Sequence, residues 1–191
     1  MLQIIVSDIF GKTPAVEEIA RSLPGQTDIL DPYGSKFMNF EDESRAYEYF
    51  TSEVGLENYA ANLAGRIRAE RKTVCLIGFS VGASAVWLVS SKKITSRISS
   101  GICFYGSQIR KYTQIEPGFP IQMVLPESEP HFSVKELAEH IGQKRNVTIY
   151  PSDFLHGFMN SYSENFNRKA YDFYMQWLCE EIRAWGKGEN D

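Results

Sequence analysis

Apolar runs of strand length alternate with amphipathic segments along almost the whole chain, and this alternation constrains the fold more than any single motif. The runs are Leu2 to Ser7, Asp28 to Asp31, Thr73 to Phe79, Ser99 to Phe104, Ile121 to Leu125 and Val147 to Tyr150. They are near-continuously hydrophobic, which implies strands buried on both faces. Parallel strands need crossover connections, usually helices, and several of the intervening segments have helical patterning. Thr13 can cap a helix with Pro14 at its first position and Glu17 and Glu18 in its first turns, ending near Leu23 before Pro24 and Gly25. Leu56, Tyr59, Ala60, Leu63 and Ile67 recur at helical spacing up to Arg71. Ser133 and Glu136 form a capping box for a helix to Ile141 that stops at Gly142. A last helix, from about Phe166 to Trp185, carries Tyr171, Tyr174, Leu178, Ile182 and Trp185 as one apolar stripe for docking on the sheet.

With 191 residues the chain is long enough for one substantial core and short for two, so residues 1–191 are expected to form a single α/β domain with a frayed tail over 186–191. The segment Gly34 to Phe50 mixes aromatics with Glu41, Asp42 and Glu43 and reads either as a substrate-facing insertion or as a solvated loop and short helix.

The stretch "VCLIGFSVGAS", residues 74–84, runs from a predicted strand through Gly78-Phe79-Ser80-Val81-Gly82 into a predicted helix over Gly82 to Ser90. G-x-S-x-G has a mechanical purpose in that context. A strained turn lifts the serine oxygen out of the carboxyl edge of the sheet, and the glycines let strand and helix approach without colliding Cβ atoms. The structural alternative is an ordinary glycine-rich turn. A serine hydroxyl at neutral pH needs a base within hydrogen-bond reach, usually a histidine held by a carboxylate. Of the three histidines, His140 falls on a helix surface and His131 reads as a loop residue before that helix. His156, in "YPSDFLHGFMN", follows the last predicted strand on the same sheet edge as Ser80, where open parallel sheets bind ligands.

The acid that orients the base is expected after the preceding strand, Ile121 to Leu125, where "PESEPHFSV" offers Glu127 and Glu129, with Asp153 as a rival close to His156 in sequence. Glu129 is the favoured candidate. Backbone N–H donors for an oxyanion are expected from Val81, after the nucleophile, and from Ile9 or Phe10 in the turn "IIVSDIFG".

Lys plus Arg total 20 against 24 Asp plus Glu, with no long basic run, which argues against nucleic acid. No stretch is long enough to cross a bilayer and no signal-peptide pattern precedes the first run, so a cytoplasmic protein is expected. Cys75, Cys103 and Cys179 are scattered through apolar blocks, a pattern of small buried hydrophobes and not of a zinc site.

Together "SDIFG", "DPYG", "IGFSVGAS", "CFYGS" and "YPSDFLHGF" resemble, in order and spacing from residue 2 to about 185, the dienelactone hydrolase family of α/β-hydrolases. The resemblance implies Ser80 as nucleophile, His156 as base, Glu129 in the acid's place, and Ile9 and Val81 as oxyanion donors. It implies Asp8 where the family often has an acidic residue near the nucleophile. The sequence departs from the family's best-known members in four ways. Serine replaces cysteine at the nucleophile, and glutamate followed by Pro130 replaces aspartate in the acid loop. Asn160 stands where an arginine for a substrate carboxylate often follows the histidine, leaving Arg45 in the insertion as a possible anion contact. The sequence also corresponds to the family fold from its third strand onward, which implies six parallel strands in the order 2-1-3-4-5-6. The expected activity is hydrolysis of a carboxylic ester, lactone or thioester, a small-molecule substrate, through an acyl-serine intermediate and without metal or organic cofactor. The competing reading is a non-catalytic binding or regulatory protein that keeps the fold.

Overall fold

In the computed structural model, which describes residues 1–91 and 96–187, all six runs are strands. They are β1 (Leu2–Val6), β2 (Gln26–Leu30), β3 (Val74–Phe79), β4 (Ile98–Phe104), β5 (Ile121–Leu125) and β6 (Val147–Pro151). They pair in parallel throughout, in the order β2-β1-β3-β4-β5-β6. The helices are α1 (Pro14–Ser22), α2 (Glu43–Tyr49), α3 (Leu56–Ala69), α4 (Val81–Val89), α5 (Val134–Gly142) and α6 (Arg168–Lys187). The last of these runs two residues past the expected end, so 186–187 belong to its final turn. The rest of the expected frayed tail, 188–191, lies outside the described residues.

The period of two along each strand sorts the core into two layers. Leu2, Ile4 and Val6 of β1, Val74 and Leu76 of β3, and Ile121, Met123 and Leu125 of β5 face a cluster completed by α3, α4 and α5. Ile5, Cys75, Ile77, Ile102, Phe104 and Val124 face the opposite cluster, closed by Val16 and Ile19 of α1 and by Tyr174, Leu178 and Ile182 of α6. The stripe read on the last helix is therefore its sheet-docking face. Burial on both faces holds for β1 and β3 and nearly so for β4 and β5, whereas the edge strands β2 and β6 are only half-buried. An edge strand has a neighbour on one side only, so its hydrophobic residues have less to pack against.

The cap residues fall where the sequence places them. Thr13 accepts the Val16 N–H at the start of α1, and Ser133 accepts the Glu136 N–H at the start of α5. The Gly34 to Phe50 segment resolves into an irregular stretch followed by α2. Asp42 caps α2 by accepting the Arg45 N–H at 2.8 Å, and the helix continues into a π-helical turn, Phe50–Val54. Among the described residues, no helix is long and apolar enough to cross a membrane.

Candidate active site

The turn from β3 into α4 is built for close approach. Ser80 holds φ 52°, ψ −113°, a conformation that costs a non-glycine residue on the order of 1–3 kcal/mol and persists only where its surroundings enforce it. Its N–H donates to Phe104 O at 3.0 Å, and its carbonyl accepts from the Ser84 N–H at 3.0 Å. The two glycines are needed for space. A Cβ on Gly78 would stand 2.6 Å from Ala83 Cα, and one on Gly82 would stand 2.0 Å from Val6 O, both backbone atoms. Because no side chain can swing aside, Gly82→Ala is expected to destabilise the fold by at least about 3 kcal/mol, the upper range for overpacking. Urea unfolding of the variant measures that loss, and an unchanged midpoint contradicts this account of the turn.

Ser80 is 8% exposed, and its Oγ lies 2.9 Å from His156 Nε2. The other ring nitrogen, Nδ1, lies 2.6 Å from Glu129 Oε1. Nδ1–H donating to a carboxylate leaves Nε2 bare, which is the tautomer able to accept a hydroxyl proton. Glu129 reaches the ring because its loop folds back on itself through a backbone bridge between Glu129 and Phe132, across Pro130 and His131. The loop is pinned to the histidine loop by the Glu127 N–H donating to Phe154 O at 2.8 Å. The rivals Glu127 and Asp153 both have exposed side chains. Tyr105, buried and held at φ 41°, packs its ring 4.9 Å from that of His156 and closes one side of the base.

Ser80 and His156 open into a cleft of about 410 Å³ that Ile9, Val81 and Glu129 also line. Among the described residues, the N–H groups of Ile9 and Val81 enter no turn or cap hydrogen bond. Two unpaired donors beside a hydroxyl, at a helix N-terminus and a tight turn, suit a developing negative charge. Phe10 is different: its N–H is taken up by Asp8 Oδ1 at 3.0 Å, which leaves Ile9 as the turn residue with a free donor.

Two expected substrate contacts are corrected. Arg45 does not line the cleft; its side chain is 68% exposed and pairs with Glu48 at 3.1 Å along the outer face of α2. Glu43, Ser44 and Tyr47 are the α2 residues that line the cleft. Asn160 is buried beneath the site, where its Nδ2 donates to Asp8 Oδ2 at 2.6 Å and its Oδ1 accepts from the Tyr162 N–H. A side chain so committed cannot stand in for a substrate-binding arginine. Asp8 is also buried and shares a small space beneath the cleft with Ser80 and His156.

Burial pushes the Asp8 carboxyl up to about 6, against the opposing pull of its hydrogen bonds from Asn160 and Phe10 and of nearby His156. Half-burial likewise raises Glu43. A carboxyl whose pKa rises on folding binds its proton more tightly in the folded state, so its contribution to stability is present at low pH and lost as pH climbs from about 4 to about 6. The shift from 3.8 to about 6 corresponds to about 3 kcal/mol. Asp8→Asn removes this titration, so its stability relative to the unmodified chain is expected to improve by about that amount between pH 4 and pH 7. Urea unfolding of both proteins across that range measures the difference, and a flat difference contradicts the burial cost assigned to Asp8.

Several cleft residues were not singled out from sequence. Arg110 follows β4 in a 3₁₀ turn, Ser107–Lys111, where it donates to Ser107 O at 2.6 Å and lies over the Phe132 ring at 4.9 Å. His131, read as a loop residue, also lines the cleft, as do Gln108 and Phe132. Topology alone could have found Arg110, since "GSQIRK" leaves a strand at the ligand-binding edge. His140 is exposed, with Nδ1 2.7 Å from Glu136 O. The cysteines are free, Cys75 and Cys103 buried and Cys179 half-buried. Among the described residues no cluster of three or more His, Cys, Asp or Glu is arranged to hold a metal ion.

Comparison with known proteins bears on the same architecture. The model of the dienelactone hydrolase family matches residues 33–180. The chain is 31% identical over 177 residues to the uncharacterized protein YczH of Bacillus subtilis, covering 89% of this chain and 86% of YczH. Among solved structures it is similar to a dienelactone hydrolase from Anabaena variabilis, with TM-score 0.65 and 13% identity over 94% of this chain and 83% of that one. It is also similar to Est1E from Butyrivibrio proteoclasticus, solved with ferulic acid bound, with TM-score 0.63 and 12% identity over 96% and 88% of the two chains. At these identities the structural likenesses speak to fold alone.

Proposed function

Because the chain belongs to the dienelactone hydrolase family of α/β-hydrolases, we propose that it hydrolyses a carboxylic ester, lactone or thioester through an acyl intermediate on Ser80. The observation that carries this reading is the continuous hydrogen-bonded run from Ser80 Oγ through the His156 ring to Glu129 Oε1 at the floor of the cleft. In the proposed reaction His156 Nε2 takes the Ser80 proton as Oγ bonds to the carbonyl carbon, and the carbonyl oxygen becomes an anion held by the Ile9 and Val81 N–H groups. Collapse of the tetrahedral adduct breaks the bond to the alcohol or thiol, which leaves with the proton from Nε2. Water then gives its proton to Nε2 and its oxygen to the acyl carbon, a second tetrahedral adduct forms, and Ser80 departs with the proton while the acid is released.

Glu129 stabilises the imidazolium it faces. Ionised Asp8 adds a second negative charge near that ring, so activity is favoured above the pH at which Asp8 titrates. The cleft, about 410 Å³ with Ile9, Val81, Tyr47 and Phe132 among its walls, has the size and apolar character of a site for a small organic ester. Turnover of p-nitrophenyl butyrate, γ-butyrolactone and a butyryl thioester by the purified chain tests the reading. At least one is expected to be cleaved with loss of activity in His156→Ala, and turnover of none of them contradicts it.

A further inference from the structure

The turn that carries the Ile9 donor is held from outside the site by a residue that no step of the reaction uses. Asp8 O accepts the Gly11 N–H at 3.1 Å, which orients the peptide plane to which the Ile9 N–H belongs. Tyr33 Oη donates to Ile9 O at 2.6 Å, which orients the next plane, whose own N–H is held by Asp8 Oδ1. Peptide units are planar and turn only about the bonds at Cα, so fixing the planes on both sides of Ile9 fixes where its N–H points. Ile9 is buried, so without the phenol its carbonyl would lose its acceptor bond away from water.

Tyr33 itself is rigid. Asp31, buried, accepts the N–H of Tyr33 and that of Ser35 at 2.8 Å each, closing the "DPYG" turn. The ring stands edge-on to Phe40 at 5.6 Å and to Tyr49 at 5.7 Å. It also lies so close under the turn that a Cβ on Gly11, at φ 75°, would meet it at 2.6 Å. A short, half-buried hydrogen bond from a ring locked on three sides acts as a strut against the Ile9 turn.

We infer that Tyr33 is a positioning residue: through its hydroxyl on Ile9 O it sets the Ile9 N–H for the developing oxyanion, and the inference rests on the ester-hydrolase reading above. Removing that bond leaves both donors present, so the effect falls below the roughly 10²- to 10³-fold cost of deleting a donor. Tyr33→Phe keeps the ring and its contacts with Gly11, Phe40 and Tyr49. It is expected to lower kcat/KM for p-nitrophenyl butyrate about 10-fold, mainly in kcat. It is also expected to raise the inhibition constant of 1-butaneboronic acid, whose tetrahedral serine adduct bears the negative charge, by the same factor. The inhibition constant of butyrate, which makes no such adduct, stays the same, as do all three quantities in Tyr49→Phe. A merely structural role would weaken boronate and butyrate alike. Tyr33→Phe matching the unmodified chain in both kcat and boronate affinity, or losing affinity for both inhibitors equally, overturns the role of Tyr33. An unmodified chain that neither turns over the ester nor binds the boronate overturns the hydrolase reading and this role with it.

Discussion

Ser80→Ala is expected to abolish ester turnover while leaving the fold intact, with kcat falling on the order of 10⁶-fold, as when the serine of a comparable triad is removed. Neither buried cysteine can replace the lost oxygen. Cys75 and Cys103 are buried in the sheet, and burial raises the pKa of both thiols above the usual range, so neither offers a thiolate to the cleft. The fold should tolerate the change because, among the described residues, the Ser80 hydroxyl bonds to His156 alone, and alanine fills nearly the same volume. A melting temperature near that of the unmodified chain, together with loss of turnover, is the expected pair of results. Residual activity within tenfold of the starting value contradicts Ser80 as nucleophile.

The second large effect is expected at the acid. Glu129→Gln keeps the shape of the side chain but presents an amide to His156 Nδ1. If the amide nitrogen faces the ring, the stable tautomer carries its proton on Nε2, and that nitrogen can no longer accept from Ser80. The imidazolium formed in the transition state also loses the negative charge of Glu129 bonded to its Nδ1. The expected fall in kcat is about 10⁴-fold, with KM changed only a few-fold. The same substitution at Glu127 or Asp153, whose side chains are exposed, is expected to leave kcat within about twofold. Steady-state kinetics of the three variants ranks the acids, and a large loss at Asp153→Asn with none at Glu129→Gln reverses the assignment.

The strands and the placement of Ser80 beside His156 were legible in sequence from local signals, and the sheet order from the family resemblance. Buried strands read as unbroken apolar runs, and the elbow needs glycines at fixed offsets from Ser80 for reasons visible in the contacts of Gly78 and Gly82. The carboxylate beside His156 was only partly legible: three lay within reach by sequence, and what brings Glu129 to the ring is a backbone bridge to Phe132 that folds its loop toward it. Arg45 was misplaced because the phase of a seven-residue helix within an irregular segment cannot be read from its composition, and the phase decides which side chains face the cleft. Asn160 and Tyr33 reflect a different limit. Their partners, Asp8 and the Ile9 carbonyl, lie 152 and 24 residues away in sequence, and no periodic pattern announces a hydrogen bond made across the fold.

The same long-range bonds explain how a tight turn and two loops become one site. Asn160 joins the histidine loop to Asp8, Asp8 holds Phe10, and Tyr33 holds Ile9, so the His156 loop and the Ile9 turn are tied through buried and half-buried polar contacts as well as through the sheet. These groups sit above strands whose apolar sides are packed on both faces, the kind of rigid support that a preorganised site requires.

Covalent capture by a fluorophosphonate tests whether Ser80 is an activated nucleophile. Intact-mass measurement of the purified chain after exposure to the reagent is expected to show one phosphonyl group per chain, located by peptide mapping on Ser80. Labelling is expected to be lost in Ser80→Ala and slowed at least 10³-fold in His156→Ala, whose serine lacks a base. A chain that remains unlabelled under conditions that saturate a known serine hydrolase, or that carries the label on any residue other than Ser80, contradicts the claim.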